Sequence, residues 1–253
     1  MFTYDFGYQS WLVNGHLVPL FLFAALLAVA LWRKWPRWIS LVFGAVVVWS
    51  LVSFTFLQML NRPASLPSDG FLAAGGGRVL DVGAGSGRLS IGVLQARPDV
   101  RVTALDIYSG YYGIADNTPE RLMANARAAG VADRLDWKVG DMRKMPIGDA
   151  EYDAVARSYA MDHVGREGAA EAVRESARVL KPGGELLLML VNTDWWLRFV
   201  SLLPHHAMEH PAVNASRWRR LLETSGFDVL EEGTRPATLY FLGRKRGHPV
   251  SAD

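Results

Sequence analysis

The sequence predicts an α/β protein: a seven-stranded, mostly parallel sheet with helices on both faces, preceded by two apolar helices of transmembrane type. Three observations predict it. Charge is segregated, since residues 1–60 hold only Asp5, Arg33, Lys34 and Arg37 of the 27 basic and 25 acidic side chains. Two long uncharged runs fill that same stretch. Beyond residue 77, strand-like and helix-like runs alternate, the pattern of a parallel sheet covered by helices.

The first run, 17–32, has 16 residues and the second, 38–60, has 23. A spanning helix needs about 20 mostly apolar residues. The second run suffices alone. The first reaches that length only by taking in part of 11–16, where Asn14 and His16 are awkward. Pro19 is tolerated near a helix start. Trp11, Trp32, Trp35 and Trp38 mark the ends of the runs, where indoles settle at a membrane interface. A helical hairpin in the bilayer is expected for residues 1–60. Two buried helices of a soluble domain would need cover on nearly every face. A cleaved signal would need a basic leading region and no second run.

Arg33, Lys34 and Arg37 lie in the turn, which the positive-inside rule would put in the cytoplasm. The domain read below is one that draws on the cytosol, and so should lie inside. We expect the domain to face the cytoplasm and leave open whether the hairpin crosses fully.

Residues 61–77, with Pro63, Pro67 and a triple glycine, read as a linker to a domain at 78–253. Strands are expected at 78–82, 101–105, 135–139, 152–156 and 185–191, and a closing hairpin at 227–232 and 238–243. Helices are expected at 88–96, at 119–129 with Thr118 as N-cap and Gly130 as stop, at 167–180, and at 216–225.

The sharpest signal is the run Val-Leu-Asp-Val-Gly-Ala-Gly-Ser-Gly-Arg at 79–88. It follows a strand and opens a helix. Gly83, Gly85 and Gly87 let the backbone turn tightly and approach a ligand, and the helix start offers free N–H groups. A dinucleotide fingerprint would want its third glycine at 88, where Arg88 stands. That disfavours a nicotinamide-dependent oxidoreductase.

The Asp-x-Gly-x-Gly-x-Gly pattern resembles motif I of the class I S-adenosylmethionine-dependent methyltransferases, whose sheet is Rossmann-like. The resemblance continues in order through 78–191. Val102–Asp106 resembles the strand ending in the ribose acid, and Gly140-Asp141-Met142 the adenine loop. Tyr152–Tyr159 resembles strand four, and Arg178–Gly184 the turn into strand five. The resemblance implies S-adenosylmethionine as donor, with S-adenosylhomocysteine as product. It puts Gly83, Ala84, Gly85 and Gly87 under the ligand, and Asp81 near its methionine amino end, where a carboxylate accepts from an ammonium. It puts Asp106 on the ribose, followed by Ile107. It puts Asp141 on the adenine amino group and the Met142 N–H on a ring nitrogen.

Several residues depart from the pattern. Tyr108, Tyr111 and Tyr112 lie on a long loop and either wall the pocket or face water. Arg157, at the end of strand four, is a candidate cofactor-site residue, with Asp162 or an acceptor anion as partner or a structural ion pair as the bland reading. His163 is the candidate base, its ordinary pKa of about 6.5 suiting that work; positioning or packing is the alternative. Tyr159 is a second candidate catalytic residue. Residues 192–213 are an insertion rich in Trp195, Trp196, Phe199, Leu202 and Leu203, expected to cover the acceptor or touch the bilayer. Arg217, Arg219, Arg220, Arg244, Lys245 and Arg246 are candidates for anionic headgroups or a solvated face. His205, His206, Glu209 and His210 lack a catalytic zinc spacing, and no metal is expected. The absence of cysteine excludes disulfides, zinc–cysteine sites and a thiol nucleophile.

A tethered domain samples bilayer-dissolved molecules at high effective concentration. A hydrophobic small molecule or lipid is therefore the expected acceptor, with the lipid bilayer as partner and no nucleic acid. Animal alkyl-thiol methyltransferases resemble this layout too, which makes a small thiol the alternative. A non-catalytic domain that only senses S-adenosylmethionine is the reading from another class.

Overall fold

The computed structural model describes residues 4–109, 115–201 and 214–247, with the side chain of residue 162 set aside. The chain opens with α1 (Ser10–Asn14), α2 (Leu17–Trp32) and α3 (Arg37–Leu57), closed by a 3-10 turn at Gln58–Asn61. There follow β1 (Gly77–Val82), α4 (Arg88–Ala96), β2 (Val100–Asp106), α5 (Pro119–Ala128), β3 (Leu135–Val139) and β4 (Tyr152–Ser158). Then come α6 (Gly165–Val179), β5 (Leu180–Val191), α7 (Trp195–Val200), α8 (Ala215–Thr224), β6 (Phe227–Arg235) and β7 (Thr238–Lys245).

The seven strands form one sheet in the order β3-β2-β1-β4-β5-β7-β6. The first five run parallel, and β7 pairs antiparallel with both β5 and β6. This is the expected Rossmann-like architecture. Strand alternation divides the core. Val79 faces a cluster with Leu89 and Ile91 of α4 and Leu122 of α5. Leu80 and Val82 face the other, with Ala172 and Val173 of α6 and Leu222 of α8. Thr118 caps α5, accepting from the Arg121 N–H at 3.3 Å ahead of Pro119. Strand β5 starts earlier than the sequence suggests, because Leu180 already pairs with Tyr152 across a register shift.

The hairpin is built differently. Ser10–Trp32 and Arg37–Asn61 are each long and apolar enough to cross a membrane. Within α2 only Ala30 is buried, and within α3 only Ser50, Ser53 and Leu57. Phe21, Leu22, Leu41, Val42, Val48 and Leu51 are exposed. Phe23 of α2 and Phe43 of α3 meet edge-on at 5.6 Å between the helices, while the large apolar side chains just named face outward.

Residues 61–77, expected as a linker, are packed on the sheet domain. The Ala64 N–H donates to the Arg88 carbonyl at 2.9 Å, and Phe71 is buried. The Leu72 N–H donates to Glu185 Oε2 at 2.8 Å, and Arg97 holds the Phe71 and Asp69 carbonyls. A Cβ on Gly92 would lie 1.9 Å from the Ala64 carbonyl oxygen, so α4 needs glycine there to let this segment close on it.

Candidate functional site

A cavity of about 400 Å³ opens at the C-terminal ends of β1, β2 and β4. Strand order reverses between β1 and β4, and such crevices are where open α/β sheets bind ligands. Its floor is the loop after β1. Gly83 has φ +76°, and a Cβ there would lie 2.4 Å from that of Ala160; only glycine fits. Gly85 and Gly87 also have positive φ. Gly83, Ala84 and Gly85 line the cavity, whereas Gly87 sits behind it as the N-cap of α4.

Asp106 ends β2 and faces the cavity. Its Oδ2 accepts from the Gly85 N–H at 2.9 Å, and its Oδ1 from the Tyr108 N–H at 2.9 Å and Asn117 Nδ2 at 3.0 Å. The carboxylate is thereby oriented before any ligand arrives. Ile107 lies beside it, and Asp141 and Met142 form part of the facing wall. Asp141 is gripped by Arg143, with Nη2–Oδ2 at 2.6 Å and Nε–Oδ1 at 3.0 Å. That guanidinium holds the Asp141 carboxyl below its ordinary range.

Besides Gly87, two more of the expected cofactor residues lie behind the wall rather than on it. Asp81 is 1% exposed. It shares the pleat face of Val79, so its carboxylate points under α4, where Ser90 Oγ donates to Oδ2 at 2.6 Å. Burial pushes its pKa from 3.8 up to about 7. Arg157 is also buried, its Nη1 donating to Met161 Sδ at 2.8 Å. Burial lowers it to about 9, against the opposing charge of Asp81. The two side chains lie on opposite faces of the sheet, Asp81 toward α4 and Arg157 toward Met161, and neither lines the cavity.

Tyr159 and His163 do line it. Tyr159 has φ +56°, and its hydroxyl shares a 2.7 Å hydrogen bond with Thr238 Oγ1. Tyr108 is not on the wall; its ring meets Trp137 edge-on at 6.0 Å. Tyr111, Tyr112, Leu202, Leu203, His205, His206, Glu209 and His210 fall outside the described residues. Arg219 pairs with Glu232 at 2.8 Å and Arg246 with Asp228 at 2.7 Å, and Arg244 pairs with Glu185 at 3.3 Å.

The wall holds residues that sequence reading missed. Phe6, Tyr8 and Leu12 close the cavity from the chain's opening segment. The Asp5 N–H donates to Asn125 Oδ1 at 2.9 Å, and Asn125 Nδ2 returns a bond to the Asp5 carbonyl at 2.8 Å. Tyr8 is pushed up by burial, against the opposing influence of Arg88. Arg88 Nε donates to the Arg62 carbonyl at 2.9 Å and its Nη2 to that of Met59 at 3.1 Å. The residue that breaks the dinucleotide pattern therefore ties the cofactor loop to the foot of the hairpin. Its departure from glycine was the only sequence signal.

Comparison with known proteins follows this geometry. Residues 79–184 match the family model of a methyltransferase domain. The ubiquinone/menaquinone biosynthesis C-methyltransferase UbiE of Cereibacter sphaeroides is 33% identical over 118 residues, which are 45% of this chain and 42% of that protein. Its counterpart from Rubrivivax gelatinosus is 34% identical over 124 residues, 49% of this chain and 43% of that protein. The chain thus spans under half the length of these curated relatives. Among solved structures, an O-methyltransferase family protein from Burkholderia thailandensis superposes with a TM-score of 0.57 at 15% identity, covering 91% of this chain and 72% of that one. That likeness concerns the fold. Residues 79–184 are thus similar to a methyltransferase domain.

Proposed function

We propose that the chain is a membrane-anchored methyltransferase acting on a hydrophobic small-molecule or lipid acceptor, with its sheet domain on the cytoplasmic side. The observation that carries this reading is the wall made by Phe6, Tyr8 and Leu12, because these residues run directly into the apolar hairpin. A quinone-type ring is the leading acceptor class, in keeping with the names of the curated relatives.

The residues fit the donor. The Gly83 floor lies against Ala160 with no room for a Cβ, so the backbone itself faces the ligand. Asp106 presents a preoriented carboxylate to a ribose diol. Ile107 and Met142 offer apolar contact to a flat base, and Asp141, fixed by Arg143, accepts from its amino group. S-adenosylmethionine supplies a methyl group already activated on a sulfonium. The protein's task is mainly alignment and exclusion of water. His163 takes the acceptor's proton where the acceptor arrives protonated, and Tyr159, fixed to Thr238, shapes the acceptor side. Asp81 acts from behind the wall by holding Ser90 of α4.

The test supplies methyl-labelled S-adenosylmethionine to the full chain in vesicles loaded with an organic-soluble membrane extract. Label should enter the organic phase. Label only in a small alkyl thiol would favour thiol methylation, and binding without any transfer would favour a sensing role.

A further inference from the structure

The helix α7 lies outside the hairpin, yet it is fastened to it at three points. His16 Nε2 bonds the Val200 carbonyl at 2.8 Å, and Trp49 Nε1 donates to the Phe199 carbonyl at 2.6 Å. The rings of Phe56 and Trp196 meet edge-on at 5.5 Å. Away from these contacts, Trp195 is 73% exposed and Phe199 43%. Their rings lie 6.5 Å apart, forming an aromatic patch beside the outward apolar surface of α3.

Spacing along the hairpin sets the depth of this patch. Trp32, Trp35 and Trp38 mark the tip. At 1.5 Å per residue, Trp49 and Phe56 lie about 16 and 27 Å along the helix from Trp38. His16 lies about 24 Å from Trp32 by the same rise. A hydrocarbon core is about 30 Å thick. With the tip at the far interface, Phe56 and His16 fall about 3–6 Å inside the near one and Trp49 about halfway through, so the fastening points run from the near interface inward. The domain cannot stand off in water while α7 is held there.

We propose that α7 is a membrane-docking helix that inserts Trp195 at the near interface and Phe199 below it, and seats the catalytic domain flush on the bilayer. The occupant of the patch is lipid, because the patch continues the apolar surface of the hairpin. With Trp11, also exposed, it makes a second aromatic belt facing the one at the tip. Arg198 of the same helix brings a cation to headgroup depth, where anionic lipids attract it. This inference rests on membrane insertion of the hairpin.

The chain has no cysteine, so single spin labels can be placed at W195C, F199C, L41C and E120C in the full protein. The protein is reconstituted in phosphatidylethanolamine–phosphatidylglycerol vesicles. Collision with oxygen is compared with collision with a water-soluble nickel chelate. Labels at 195 and 199 should be several-fold more protected from the chelate than the label at 120. A label at 41 in hydrocarbon with 195 and 199 as wet as 120 would overturn the docking while sparing the hairpin. A wet label at 41 would overturn both. Two sites on α7 guard against local loosening at either one.

Discussion

Helices α4 and α2 are both apolar, yet they treat their surroundings in opposite ways. Six residues of α4 are buried, among them Leu89, Ile91, Val93 and Leu94. In α2, nearly twice as long, the one buried residue is Ala30. In α3 the buried set includes two serines, while Leu41, Val48 and Leu51 look outward. The domain follows the rule for water, with large apolar groups inside. The hairpin inverts it, as helices packed in lipid do through small and polar residues. That difference is what the proposed membrane anchoring expects of one chain adapted to two solvents. The join is rigid: Arg88, Ala64 and Phe71 lock residues 59–72 onto the sheet domain.

The strongest way to break the comparison is to charge the outward face of the hairpin. Of Leu41→Arg with Val48→Arg, the change at Val48, about 15 Å from Trp38, should cost about 2.5–3.5 kcal/mol at mid-bilayer, and that at Leu41, nearer the tip, less. Most of the protein should then fail to float with vesicles, while affinity for S-adenosylhomocysteine stays unchanged. In water the same exposed positions would tolerate arginine. The converse change is Gly83→Val. The left-handed backbone and the Ala160 contact should weaken S-adenosylhomocysteine binding about 100-fold or more, read by calorimetry, with flotation intact.

A smaller effect sharpens the picture inside the domain. The Asp81 carboxyl is raised from 3.8 to about 7 by burial, so the folded state holds its proton where the unfolded chain has lost it. Its contribution is therefore fully present below pH 3.8 and is lost as pH rises through about 7. Stability should fall by up to about 1.4 kcal/mol per pH unit across that window. Asp81→Asn should flatten the decline, measured by thermal melts at several pH values in detergent micelles.

Much of this was legible in the sequence because it rests on local signals. The Thr118-Pro119 start of α5, the glycine loop and Asp106 at a strand end each declare themselves within a few residues. Asp81 did not, because the motif fixes its position while the pleat decides which face its side chain takes, and Ser90 under α4 claims it. The cavity wall at Phe6 and Tyr8 and the fastening of α7 to Trp49 were hidden for another reason. They join residues more than 70 positions apart, and neither periodicity nor turn chemistry reports such contacts. The same holds for Arg88, whose reach to Met59 and Arg62 has no local signature beyond a missing glycine.

The central claim is that the domain holds the methyl donor while the hairpin brings it to an acceptor dissolved in the bilayer. The most direct test compares the unaltered chain with Leu41→Arg/Val48→Arg in vesicles carrying membrane extract and methyl-labelled S-adenosylmethionine. The claim predicts equal donor binding and a loss of organic-phase label in the variant of at least about tenfold, following its lost insertion. Undiminished organic-phase labelling by a variant that no longer floats with the vesicles would contradict it.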